Sequence, residues 1–115
     1  DNPENKRFVE SFFKAYGRLP TDYAATSYDT ARLIGSALRA VGGDITGKRD
    51  AFRAALRKAD FKSVKGKFRF AQNQHPVQDW YLLRIEPDAS GKLGYKTVER
   101  IVADHVDPHA PECKM

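Results

Sequence analysis

The first apolar residues of the chain, Phe8, Val9, Phe12, Phe13 and Tyr16, recur at helical spacing behind Asn2-Pro3 and ahead of Gly17. Asparagine followed by proline makes an N-cap and a first helical residue, and glycine closes a helix, so an amphipathic helix is predicted here. After Arg18-Leu19-Pro20, Thr21 or Asp22 can cap a second helix that runs to the stop at Gly42-Gly43. Its polar residues Asp29, Arg32, Ser36 and Arg39 form one narrow stripe, while Tyr23, Ala24, Ala25, Tyr28, Ala31, Leu33, Ile34, Ala37, Leu38 and Val41 fill most of the remaining circumference. A helix of that kind expects cover on more than one side. A third helix fits residues 47–59, with Phe52, Ala55, Leu56 and Ala59 inward and Arg49, Arg53 and Arg57 on another side.

Beyond Gly66 the period falls from helical to alternating. Phe68 and Phe70 flank Arg69 in a short strand, and Gln72 to Pro76 reads as a loop. Trp80 to Ile85 is apolar on both faces, which predicts a buried strand. Asp88-Ala89-Ser90-Gly91 turns the chain into a hairpin partner over Tyr95 to Ala103. Asp104 to Met115 holds two prolines and little apolar material, and is expected to be a loose tail. There is no internal repeat and no flexible linker. Three apolar-faced helices thus precede the main strands, and the broad face of the second helix asks for a sheet to lie on. The expected fold class is α/β, a terminal portion of a larger protein whose sheet is encoded upstream of Asp1.

Composition narrows the picture. With 115 residues, one domain is the prior, and 41% hydrophobic residues argue for a folded chain rather than a disordered one. Apolar stretches are too short to cross a bilayer, and Asp1-Asn2-Pro3-Glu4 lacks the basic and apolar parts of a signal peptide. The one cysteine, Cys113, cannot form an internal disulfide, so cysteine usage leaves the redox compartment open. The net charge of +5 arises in residues 47–69, where nine basic side chains face only Asp50 and Asp60. Such a patch can attract anions.

Several constellations could carry chemistry. Gly42-Gly43-Asp44-Ile45-Thr46-Gly47-Lys48-Arg49 has the glycine and lysine spacing of a phosphate-binding loop, but Arg49 stands where a Ser or Thr hydroxyl is needed and no strand precedes it. It reads as a connection between helices. The basic patch with Phe52, Phe61, Phe68 and Phe70 could serve a nucleic acid, yet helix and strand packing already explains those aromatics. His105, His109 and Cys113 are acceptable zinc ligands at four-residue steps, but Pro108 and Pro111 prevent the helix that would align them, and no metal or cofactor is expected. His75 and Asp79 have no nucleophile motif beside them, so no enzyme is indicated. Tyr23 opens the second helix, where free amides and the positive end of the dipole can receive a carboxylated or aromatic solute. Core packing against Phe12 or Phe13 is its other reading.

Taken in order, Asn5-Lys6-Arg7-Phe8-Val9, Tyr16-Gly17-Arg18-Leu19-Pro20, Tyr23 through Ala31, Asp60 through Phe70 and Asn73 through Leu82 resemble the late helices and the segment after them in type I periplasmic solute-binding proteins. These are the Leu/Ile/Val-binding-protein-like receptors of ABC importers, and the likeness runs to about Val102. His75-Pro76-Val77-Gln78-Asp79-Trp80-Tyr81 is most similar to the branch associated with aromatic acids. The resemblance implies a two-lobed receptor that closes on a small carboxylate, an aromatic acid or a branched-chain amino acid, and presents itself to a membrane permease from the periplasm. It implies that residues 1–70 are a helical part of the first lobe, 71–79 a hinge crossing, 80–103 terminal strands of the second lobe and 104–115 a tail. It also implies Tyr23 and Ala24 as solute contacts, no catalytic residue, and a missing N-terminal portion with which the chain pairs, unless it self-associates. A free-standing basic α+β module for nucleic acid or another polyanion is the rival reading.

Overall fold

The computed structural model describes residues 2–114 and orders them as α1 (Pro3–Tyr16), α2 (Asp22–Ala40), α3 (Arg49–Lys58), β1 (Arg69–Phe70), β2 (Pro76–Pro87), β3 (Leu93–His105) and a short 3-10 turn, Ala110–Glu112. The chain divides into two compact units, residues 1–70 and 71–115, in place of the single domain expected from length. No helix among the described residues is long and apolar enough to cross a membrane.

In the first unit each helix begins and ends where its sequence requires. The Asn2 side chain accepts the Asn5 N–H at 2.9 Å, Pro3 occupies the first turn, and Gly17, at φ 65°, donates to the Phe13 carbonyl at 2.8 Å. Thr21, not Asp22, caps α2. Gly42 and Gly43, both at positive φ, turn the chain back so that the Gly43 N–H reaches the Leu38 carbonyl at 2.9 Å. Lys48 precedes α3 without a side-chain cap, and its ammonium folds back onto the Val41 carbonyl at 3.3 Å. That contact accounts for the lysine of the glycine-rich stretch as a helix connection.

The core of this unit is thin. Phe8, Ala37, Val41, Ala59 and Val64 are buried, and Phe8 packs its ring against Phe12 and Tyr28 at centroid distances of 5.8 and 4.8 Å. Phe52, Ala55 and Leu56 are half-buried on the inner side of α3, whereas Arg49, Arg53 and Arg57 are exposed. Polar bonds supplement this packing. Asp29, which the stripe on α2 assigned to a polar face, is buried, and its carboxylate accepts the Ser63 hydroxyl at 2.5 Å and the Val64 N–H at 3.0 Å. The Val64 carbonyl in turn accepts the Asn2 side-chain amide at 3.0 Å. The start of α1, the middle of α2 and the loop after α3 are thereby joined by three bonds.

In the second unit β2 and β3 form a long antiparallel hairpin, pairing Trp80 with Val102, Ile85 with Tyr95 and Pro87 with Leu93. Register shifts near Trp80 and Leu82 mark bulges, which raise the local twist. The turn falls at Asp88 to Gly91, where Gly91 has φ 81° and the Asp88 carboxylate accepts the Ser90 and Lys92 amides at 2.8 and 3.1 Å. Two expectations are corrected here. Trp80, Tyr81, Leu82, Leu83 and Ile85 are exposed rather than buried, because neither face of the hairpin carries a covering layer among the described residues. The segment after Asp104 is not a loose tail: β3 extends to His105, Ala110 is buried, and Asp107 accepts the Asn73 side-chain amide at 2.8 Å.

Removing the carboxylate at the centre of the first unit should be costly, since it strands a buried hydroxyl and a buried amide. Asp29→Ala is expected to lower unfolding stability by about 3 kcal/mol and Asp29→Asn, which keeps one acceptor, by less. Urea unfolding monitored at the aromatic residues of this unit measures it, and an unchanged midpoint for Asp29→Ala would contradict the assignment.

Candidate functional site

The first turn of α2 combines an exposed aromatic, unoccupied amides and a nearby cation. Thr21 Oγ1 accepts the Ala24 N–H at 3.4 Å and the Thr21 carbonyl accepts the Ala25 N–H at 3.1 Å. Those two bonds leave the Asp22 and Tyr23 amides without an acceptor among the described residues. Tyr23 is 85% exposed, and Ala24 beside it is half-buried. The core reading of Tyr23 does not hold: Phe12 packs on Phe8 and Tyr16, and Tyr28 is the α2 aromatic that meets α1.

Lys65 completes the group, and nothing in the sequence reading singled it out. Its ammonium lies 2.9 Å from Asp22 Oδ1 and 2.9 Å from Thr26 Oγ1, across the first turn of α2. It gets there because Asp29 holds Ser63 and Val64, and the Lys65 N–H donates to Ser63 Oγ at 2.9 Å. The only available signal was the basic run itself, in which one lysine among nine cations cannot be told apart without the fold. A ring and two open amides at a helix N-terminus, with Lys65 paired to Asp22 beside them, can hold a monoanion with an apolar body.

The other candidates do not come together. His75 faces the Asp107 carboxylate at 3.3 Å, while Asp79 takes the Asp104 N–H at 2.8 Å, Arg100 at 3.1 Å and the Tyr81 hydroxyl at 3.2 Å. His105 meets the edge of Trp80 and His109 faces Glu112, so the three spaced ligands His105, His109 and Cys113 do not converge. Phe61, Phe68 and Phe70 pack ring on ring at 5.1 Å steps and Phe52 is half-buried, which leaves the basic segment without exposed aromatics for base stacking.

Comparison with known proteins places the chain in a family. The Periplasmic binding protein family matches residues 1–92, and the chain belongs to that family. Its structure is similar to a solute-binding protein of an ABC transporter from R. palustris, solved in complex with benzoate, at TM-score 0.86 and 34% identity. All of this chain and 30% of that one are covered. An ABC transporter substrate-binding protein from Sphaerobacter thermophilus is similar at TM-score 0.80 and 34% identity, covering 90% of this chain and 28% of that one. No curated protein matches. The chain thus spans about 30% of the length of its structural relatives, and its three helices and strands are an α/β part of their fold.

Hydrogen bonding sets the acid response of the hairpin. The Asp104 N–H, with help from Arg100 and Tyr81, holds the Asp79 carboxyl below the usual carboxylate range. A folded-state value below the unfolded one, about 3.9, stabilises above the unfolded value and is lost as pH falls through the folded one. The Asp104 amide should therefore stay protected at pH 5 and lose protection only below the ordinary carboxylate range. Amide exchange followed by NMR measures this, and loss of protection already at pH 5 would count against it.

Proposed function

We propose that this chain is the C-terminal part of a periplasmic solute-binding receptor of an ABC importer, with no catalytic role of its own. In this reading the receptor holds a small carboxylate, with aromatic acids ahead of branched-chain amino acids. The observation that carries it is Tyr23, exposed at a capped helix start beside free amides, in a chain of the Periplasmic binding protein family. Tyr23 would cover the apolar body of the solute, and the backbone at Ala24 would help fix its carboxylate. The benzoate bound to the R. palustris relative supports the aromatic class.

Residues 1–70 would belong to the first lobe, 71–79 to the hinge crossing and 80–103 to the second lobe, with 104–115 following. Partners would be the solute, the membrane permease and the N-terminal portion of the same protein, which would cover the apolar faces left open here. Without it, self-association is the other way to cover them. Closure on the solute would require contacts from both lobes at once.

Calorimetric titration of the intact receptor with benzoate and with leucine tests the proposal. Benzoate should bind, Tyr23→Ala should weaken it about tenfold, or ~1.4 kcal/mol, and Tyr23→Phe should keep most of the affinity. The affinity should hold at high salt, where binding of a polyanion would fall steeply. Absence of heat with every aromatic acid and aliphatic amino acid tried would sink it.

A further inference from the structure

Residues 104–113 share several polar contacts with residues 71–79. The chain leaves its first unit at Phe70, and the segment that opens the second unit, residues 71–79, is tied at four points to the far end of that unit. Gln72 Nε2 donates to the Cys113 carbonyl at 3.3 Å, and Asn73 Nδ2 donates to Asp107 Oδ2 at 2.8 Å. His75 faces the same Asp107 oxygen at 3.3 Å, and Asp79 Oδ1 accepts the Asp104 N–H at 2.8 Å. Asp107 is itself held, since its Oδ1 accepts the His109 N–H at 2.9 Å, and Ala110 behind it is buried. Within the segment the Ala71 N–H donates to the His75 carbonyl at 2.8 Å and closes a tight loop.

We infer that residues 104–113 act as a strap that sets the stiffness of the junction segment 71–79, with the Asn73–Asp107 hydrogen bond as its central tie. The physical reason is that only the end of the segment, from Pro76 on, enters the β2 ladder, which leaves residues 71–75 to the Ala71–His75 bond and to these ties. Val77 is its one buried side chain among the described residues, so apolar packing secures only that point. Side-chain bonds to a structured end of the chain supply the rest. A stiff junction limits the number of open arrangements available to the unliganded receptor. Resting on the reading proposed above, the strap therefore contributes to solute affinity at a distance, by keeping more of the population competent to bind.

A donor–acceptor exchange tests this without emptying the site. Asn73→Asp sets a second carboxylate against Asp107, while the double variant Asn73→Asp, Asp107→Asn restores one donor and one acceptor with the shapes kept. In the intact receptor, hydrogen exchange should show the amides of residues 71–79 exchanging at least about tenfold faster in Asn73→Asp and returning towards wild type in the double variant. Benzoate affinity should fall about three- to tenfold and recover in the same order. Exchange in Asn73→Asp equal to wild type, or no recovery in the double variant, overturns the strap. If the wild-type receptor binds no carboxylate while exchange behaves as described, the solute reading fails and the strap stands.

Discussion

A carboxylate in the middle of a helix can be buried only if both its oxygens find donors, and Asp29 finds them 34 and 35 residues away. Ser63 and Val64 fill it, and the Val64 carbonyl then takes the amide of Asn2, the residue that caps α1. This chain of bonds makes up for a core whose buried side chains in the first unit are Phe8 and four small residues, Ala37, Val41, Ala59 and Val64. Small side chains contribute little transfer free energy, on the order of 0.8 kcal/mol per buried methylene. Directional bonds therefore fix the relative placement of loop and helices where packing alone would leave slack.

The same poverty of packing explains the exposed apolar surface, but exposure does not mean the same thing everywhere. Phe13, Tyr16 and Ile34 in the first unit, and nearly the whole hairpin from Trp80 to Val106, present large side chains to solvent. Surfaces of that kind are made to be covered. This chain matches 30% of the length of a structural relative, and in the proposed reading the remainder of the receptor would supply that cover. Tyr23 differs. It stands where amides lie open and a lysine is anchored, so its exposure is coupled to polar chemistry that a covering protein layer would leave unsatisfied.

How far the sequence discloses all this depends on the range of the interaction. Caps and turns are local, and Asn2, Gly17, Thr21, Gly42, Gly43 and the Asp88–Gly91 turn sit where their residue types require. The inward set of α3 was readable from its period for the same reason. Asp29 was not, since a carboxylate that heads a polar stripe with Arg32, Ser36 and Arg39 looks solvated until Ser63 and Val64 are brought to it. Lys65 and the Asp107 ties were hidden likewise, because each depends on a partner 32 to 43 residues away. The apolar run Trp80–Ile85 predicts burial that the structure does not show, because hydrophobicity reports what a strand needs, not what the same chain provides.

The order of these dependencies bears on what the opening of α2 can hold. Lys65 is already paired with Asp22, and the pair brings almost no net charge to the first turn. What remains is the partial positive charge of the helix end and the Asp22 and Tyr23 amides, about half an elementary charge in all. A dianionic phosphate would be left undercompensated there, whereas a monocarboxylate would be matched, and an apolar body attached to it would find the Tyr23 ring. Because Asp29 anchors the loop that carries Lys65, these groups are in place before any solute arrives, which limits the ordering cost of binding. On the reading proposed above, a small, singly charged acid with an apolar or aromatic remainder is the solute this arrangement would favour.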